Sequence, residues 1–261
     1  MLIFIVPVKS LQLSRLSWEL SSKILERCIQ SICNQTSLDF QILIVHHEKP
    51  VMTLNHPQVD YIQVDFPIPS WAEHSSPYRD KGRKLWTGLN YARQLNPTHV
   101  MCVDSDDCLN RNLVEFVNQN PDQNGWYISD GYEYPDGSGR VYHRKKKFHL
   151  KCGTSHIIRW ELMLPFADLK FDEITDKFLW HQDMVRLFAE QETPLSPLPF
   201  DGAVYISDTG ENHDNLTELF IKQFKSNPLD LALFWTRRTY KAINSRSLNE
   251  TICREFSLYN L

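Results

Sequence analysis

No stretch of this 261-residue sequence approaches the ~20 consecutive apolar residues that a membrane-crossing helix needs. The opening run Leu2-Ile3-Phe4-Ile5-Val6 ends at Pro7. It is too short for the apolar region of a secretion signal and lacks a small-residue cleavage site. The six cysteines Cys28, Cys33, Cys102, Cys108, Cys152 and Cys253 form no C-x-x-C pair. Most sit in apolar runs, so they read as buried thiols in a reducing compartment. An excess of positive charge is lacking too: 28 Lys and Arg stand against 32 Asp and Glu, a net charge of −4, which argues against the basic face of a general nucleic-acid binder. One basic run, Arg144 to Lys147, reads as a solvated loop. Internal repeats and low-complexity segments are absent. A cytoplasmic protein, at most peripheral to a membrane and without a nucleic-acid partner, is the expectation.

Apolar residues make up 42% of the chain, enough to bury the core of one α/β domain or of a domain with a helical tail. Residues 2–8 and 41–45 form continuous apolar runs, as strands buried on both faces do. Residues 59–66 alternate, and 99–103 form a fourth strand that leads directly into Asp104. Between these lie helical periodicities at 17–34, with Ser17 as a cap, and at 79–95; another helix follows at about 110–120. Strands separated by helices predict βαβ units and a mostly parallel sheet. In such sheets ligands bind beyond the carboxyl ends of the strands. Pro7-Val8-Lys9, His46-His47-Glu48 and Asp104-Ser105-Asp106-Asp107 should therefore converge on one crevice. Downstream, 125–134 and 140–143 read as a hairpin turning at Pro135-Asp136-Gly137. Residues 153–164, 176–189 and 216–245 read as helices, and 203–207 as a strand.

Three carboxylates in the four residues Asp104 to Asp107 repel one another unless water or a cation neutralises them. In extended chain Asp104 and Asp106 face one side, and such oxygen ligands suit Mg²⁺ or Mn²⁺, whose open positions substrate phosphates fill. The plainer reading is an acidic loop, or a cap on the next helix from Asp107 or Asn110. Position at the end of a buried strand favours the metal reading. Asp80-Lys81-Gly82-Arg83-Lys84 opens the helix before that strand, and both its cations and the helix N-terminus favour a diphosphate. An exposed, charged first turn is the alternative. His181-Gln182-Asp183 offers a general base in Asp183, with His181 beside it as a tuning or acceptor contact; a capping or salt-bridged surface aspartate is the alternative, and the one the motif alone favours. Gly210-Glu211-Asn212-His213 offers a histidine able to complete a metal shell.

Ser31-Ile32-Cys33-Asn34-Gln35-Thr36, followed by Phe40 to Val45, resembles the opening of family 2 glycosyltransferases of the GT-A fold. The stretch Gly82 to Asp107, a basic helix, an apolar strand and then D-x-D-D, is similar to that family as well. The likeness covers residues 2–120. It implies a nucleotide-diphospho-sugar donor, a UDP-sugar being favoured, with Mn²⁺ or Mg²⁺ as cofactor. It further implies Pro7 and Val8 in the nucleoside pocket, Asp104 near the ribose with Ser105 beside it, and Asp106 and His213 on the metal. Lys81 or Arg83 would approach the phosphates, and Asp183 would deprotonate the acceptor. Where the family carries Asp-Asp-Gly this chain has His46-His47-Glu48, so His47 or Glu48 is expected to take over the base contact. The Q-x-x-R-W motif of processive synthases is missing: residues 156–160 read His-Ile-Ile-Arg-Trp.

The expectation is a GT-A catalytic domain at 1–214, with a donor half at 1–120 and an acceptor half at 121–214, and a C-terminal helical extension at 215–261. It would add one hexose, with inversion, to a glycan, lipid-linked or small-molecule acceptor. A retaining transferase and an inactive nucleotide-sugar-binding protein are the alternatives. A nucleotidyltransferase is disfavoured, since no Gly-rich phosphate loop follows the first strand.

Overall fold

The computed structural model describes residues 1–69, 76–210, 235–236 and 239–259. The first strand, β1 (Leu2–Pro7), is buried along its whole length. Its side chains alternate between two cores, as the two-residue period of a strand requires. Leu2, Phe4 and Val6 pack with Leu25, Cys28, Ile29 and Ile32 of α1 (Trp18–Cys33) and with Leu113, Val114 and Val117 of α3 (Leu113–Asn118). Ile3 and Ile5 pack on the other face with Leu85 and Leu89 of α2 (Ser76–Ala92), Met163 of α4 (Trp160–Ala167) and Phe188 of α5 (His181–Glu190). Each such side chain, fully buried, contributes about 1.5–3 kcal/mol. Helices on both faces explain why the run has no polar alternation.

β1 pairs in parallel with β2 (Phe40–His46) on one side and β4 (His99–Cys102) on the other, and β3 (Val59–Gln63) continues beyond β2. The full order is β10-β6-β9-β4-β1-β2-β3, with β6 at Gly125–Tyr127, β9 at His156–Arg159 and β10 at Ser196–Pro197. Only β9 runs against the rest. The expected α/β architecture, a mostly parallel sheet flanked by helices, is what the structure shows. Ser17 caps α1, its Oγ accepting from the Leu20 N–H at 3.3 Å. At Gly88 an added Cβ would overlap Ile5 Cγ2, so this glycine lets α2 lie close against β1.

The second half departs from its sequence reading in identifiable ways. Residues 153–164, read as one helix, are β9 followed by α4. Ile157 and Ile158 point into opposite cores, and a short apolar run does not by itself distinguish a buried strand from a helix. The hairpin forms from β7 (Gly131–Pro135) and β8 (Arg140–Arg144), with Gly137 in the left-handed region at φ +72°. Residues 125–127 belong instead to the large sheet. The helix expected from 176 begins at His181. Of the helix read at 216–245, residues 216–234 and 237–238 lie outside the described residues, 235–236 and 239–244 are helical as expected, and Ser245–Ser247 form the strand β12.

β12, β8, β7, β11 (Ala203–Ser207) and β5 (Cys108–Leu109) make a second sheet, in that order. It is covered by Ile252 and Phe256 of α6 (Glu250–Phe256). β5 leaves the Asp104–Asp107 turn directly, so the turn is pinned between the two sheets.

Candidate functional site

Beyond the carboxyl ends of β1 and β4 lies a cavity of about 380 Å³. Its wall is built from Pro7, Val8 and Lys9 after β1, from Asp104, Ser105 and Asp106 after β4, and from Pro77, Tyr78 and Lys81 in the first turn of α2. Lys151, Gly153 and Tyr205 close one side, and Asp176, Trp180, His181 and Gln182 close another.

The turn divides its three carboxylates between two jobs. Asp107 is fully buried and faces away from the cavity. Its Oδ2 accepts from Thr154 Oγ1 at 2.6 Å and from Cys152 Sγ at 3.2 Å, and its Oδ1 accepts from the Ile206 N–H at 3.3 Å. Burial, then the charges of Asp106 and Asp104, push its pKa well above the carboxylate range. Asp107 therefore holds the turn against β11 and the 152–154 loop, and Thr154 Oγ1 also accepts from the Asp104 N–H at 2.8 Å. Neither Asp107 nor Asn110 is the cap of α3: its N-cap is Asn112, whose side chain makes no cap bond, and Asn110 Oδ1 accepts from the Asn112 N–H at 2.9 Å just ahead of the helix.

Asp104 and Asp106 line the cavity. Asp104 is paired with Lys81. Burial disfavours the Lys81 charge, but Asp104 outweighs it and holds the ammonium pKa above its ordinary value. Burial, then the Asp104 charge, raise the Asp106 carboxyl to about 7. A carboxylate pair so strained electrostatically has the chemistry of a cation ligand set, since a divalent ion would restore its ionised form. Lys9, Lys81 and Lys151 add three cations to the same wall, and the N–H groups opening α2 add partial positive charge.

Sequence reasoning quoted Lys84 only as part of the basic run and gave it no role, and it missed Gly153. Lys84 has no exposed surface. Its Nζ donates to the Val8 carbonyl at 2.6 Å, to Ser10 Oγ at 2.8 Å and to Asp80 Oδ2 at 2.7 Å. The Asp80–Lys84 spacing of four was the available signal. Gly153 stands against the Asp104 carboxylate: a Cβ there would lie 2.5 Å from Asp104 Oδ2 and 3.1 Å from Lys81 Nζ. Gly153→Ala should therefore displace the ends of two flexible side chains and leave the backbone alone. Melting within about 2 °C of wild type, with donor affinity lowered about tenfold or more by calorimetry, is the expected result.

Four expected site residues lie elsewhere. Arg83 turns from the cavity, donating to the Pro67 carbonyl at 3.3 Å with its guanidinium 4.7 Å from the Phe171 ring centre. Residues two apart on a helix do not share a face, so α2 presents Lys81 and Lys84 inward and Arg83 outward. The same geometry acts in α5. His181 lines the cavity, while the Asp183 carboxylate is 52% exposed and pairs with Arg186 at 3.2 Å. His47 and Glu48 stand behind the wall. His47 Nδ1 lies 2.9 Å from Ser10 Oγ and 3.7 Å from Asp80, and Glu48 accepts from the Leu11 N–H at 3.2 Å. His213 lies outside the described residues.

A separate group, Asp130, His143 and Asp201, has ligand atoms within 4.8 Å of one another and could hold a cation. None of the three lines the cavity. His143 Nε2 is 2.7 Å from Asp201 Oδ1, and Asp130 Oδ1 accepts from the Lys146 N–H at 2.9 Å. Among the described residues no helix is long and apolar enough to cross a membrane.

No protein-family model matches this sequence, and no curated protein matches it. Among solved structures, S. aureus TarS 1-349 is similar at 14% identity and a TM-score of 0.47, over 79% of this chain and 60% of that one. A structure of S. aureus TarS is similar at 14% identity and a TM-score of 0.44, over 78% of this chain and 36% of that one. The chain thus spans less than two thirds of either structure's length. Both scores lie below 0.5, and the fold rests on the strand order described above.

Proposed function

We propose that the chain is a cation-dependent glycosyltransferase that binds a nucleotide-diphospho-sugar, a UDP-sugar by preference, in the cavity beyond β1 and β4. One observation carries this reading: the Asp104–Asp106 carboxylate pair, with Lys9, Lys81 and Lys151 around it, Asp176 across the cavity and the Asp80–Lys84 pair in the same lining, lies beside a helix N-terminus at the carboxyl edge of a parallel sheet. That combination suits a diphosphate bridged to a metal. The resemblance of residues 31–45 and 82–107 to family 2 glycosyltransferases points to the same ligand.

In this reading Pro7 and Val8 border the nucleoside. Asp104 and Ser105 face the ribose, and Asp106 ligates Mn²⁺ or Mg²⁺. Lys81 is tied to Asp104 and positioned to approach the diphosphate. A bound cation would neutralise the departing diphosphate as a Lewis acid. Tyr78, Trp180 and Tyr205 give the cavity apolar faces suited to sugar rings. The acceptor is a hydroxyl of a glycan, a lipid-linked sugar or a small molecule, and the transferred group is a hexose. Residues 1–120 supply the donor half and 121–214 the acceptor half; of the expected extension at 215–261, β12 and α6 pack into the second sheet and its core. The stereochemical outcome is inversion, which NMR of the product's anomeric proton distinguishes from retention.

A thermal-shift panel of nucleoside diphosphates and nucleotide-sugars, with and without Mn²⁺, tests the reading. A ligand at a hundred times its Kd stabilises the folded state by about 2.7 kcal/mol, or about 5–10 °C for a chain of this size. UDP and UDP-sugars should produce such a shift only with the cation present. A flat panel under both conditions would remove the proposal.

A further inference from the structure

We propose that His181, and not Asp183, is the base that removes the proton from the attacking hydroxyl. The assignment rests on the glycosyltransferase reading above and deepens it. Asp183 is turned to solvent and occupied by Arg186. His181 is the titratable residue of that motif that lines the cavity, together with Gln182 and the Asp104–Asp106 turn.

Its Nε2 is shielded from solvent and has no hydrogen-bond partner. Buried polar atoms are nearly always bonded, and an exception calls for a physical reason. A turn of the ring toward the cavity would bring the atom to an acceptor hydroxyl, which would supply the missing partner. Two neighbours flank the ring. It interacts with the Leu150 backbone, and the Trp180 indole lies 5.3 Å away, centre to centre. The neighbouring Gln182 Nε2 donates to the Leu150 carbonyl at 3.1 Å, tying the start of α5 to the 148–151 turn.

The surroundings keep the ring neutral until a proton arrives. Burial is the largest influence and lowers its pKa; Lys81 and His149 act in the same direction, while Asp104 and the Leu150 backbone oppose them. Behind it, His156 is only 7% exposed, its Nε2 is also unpartnered, and burial with the charges of His149 and His181 brings it down to about 3. Lys151 and Asp176 share the cavity wall. A neutral imidazole at physiological pH is what a general base requires, and Asp104 is at hand to stabilise the imidazolium that forms.

The step balances as a single displacement. The acceptor oxygen bonds to the anomeric carbon as the bond from that carbon to the phosphate oxygen breaks. The electron pair leaves on the nucleoside diphosphate, and the hydroxyl proton passes to His181 Nε2.

Water can serve as the acceptor, so the test needs no identified glycan. UDP release from UDP-glucose, UDP-galactose and UDP-N-acetylglucosamine is followed for wild type, His181→Gln, His181→Asn, Asp183→Asn and Asp176→Asn, alongside thermal shifts with the same donors. The two His181 variants should keep the donor-induced shift and lose turnover by about 10²–10⁴-fold. At saturating Mn²⁺, which would hold Asp106 ionised, wild-type kcat should fall on the acid side of a pKa below 6.5, because only the neutral ring accepts the proton. The His181 variants should lack that limb. Long-range proton–nitrogen NMR of the His181 ring should show the same titration without turnover. Near-wild-type turnover in the His181 variants, collapse in Asp183→Asn or Asp176→Asn, or no acid limb in the wild type would overturn the assignment and leave the transferase reading standing. A wild-type protein that neither binds nor hydrolyses any of the donors takes both away.

Discussion

Lys84→Met should lower the melting temperature by about 10 °C or stop the chain folding, although the residue lies in a run that reads as an exposed, charged turn. The substitution leaves the Asp80 carboxylate, 2% exposed, without the ammonium that compensates it. It also removes a donor from the Val8 carbonyl and from Ser10. Burial lowers the Lys84 pKa against the pull of Asp80, so the pair is costly to make and more costly to break. Removing one partner of a buried pair costs about 3–5 kcal/mol, and each kcal/mol moves the midpoint by about 2–4 °C at this size. The double variant Asp80→Leu/Lys84→Met should regain much of the loss, since apolar replacements remove the stranded charge as well. Thermal melts of the single and double variants decide the matter. A single variant as stable as wild type would mean that Lys84 is solvated in solution.

Asp106→Ala carries the second large effect, and it acts on binding instead of on folding. Donor affinity measured by calorimetry in Mn²⁺ should fall by about 10²-fold or more, in line with the several kcal/mol a metal contributes at a phosphate. The difference in affinity with and without the cation should vanish. Unchanged affinity and an unchanged response to the cation would remove Asp106 from the site. Stability should move the other way. The Asp106 pKa is raised to about 7 in the folded protein, so its neutral form favours folding at low pH. That contribution is lost as pH rises from the unfolded value near 3.8 through about 7. Asp106→Ala should therefore melt higher than metal-free wild type at pH 8, by a margin that shrinks toward pH 5. A site that destabilises its own apo fold is a common cost of function.

Several elements of both fold and site were legible in the chain alone. The β1 run is apolar at every position because helices cover both sheet faces, and a two-sided burial of that kind leaves a one-dimensional signature. The turn at Asp104 was legible because a buried strand that stops abruptly at three carboxylates must deliver their charge to water or to a cation at the sheet edge. The 156–160 segment was not, because two adjacent isoleucines fit a short strand and a helix equally well. Only the β4 and β6 strands flanking β9 choose between them.

The sequence by itself determined the class of the fold, the positions of its first four strands along the chain, and the gathering of Pro7, Val8, Asp104 and Asp106 at one edge. Those follow from periodicity and from the rule that parallel strands end on the same side. Tertiary structure alone decided which member of each polar cluster faces the cavity: Lys81 over Arg83, His181 over Asp183, Asp106 over Asp107. Each of these is a question of rotation about a helix or turn axis. That rotation is set by what the neighbouring apolar residues bury, and the residue types of the polar cluster carry no record of it.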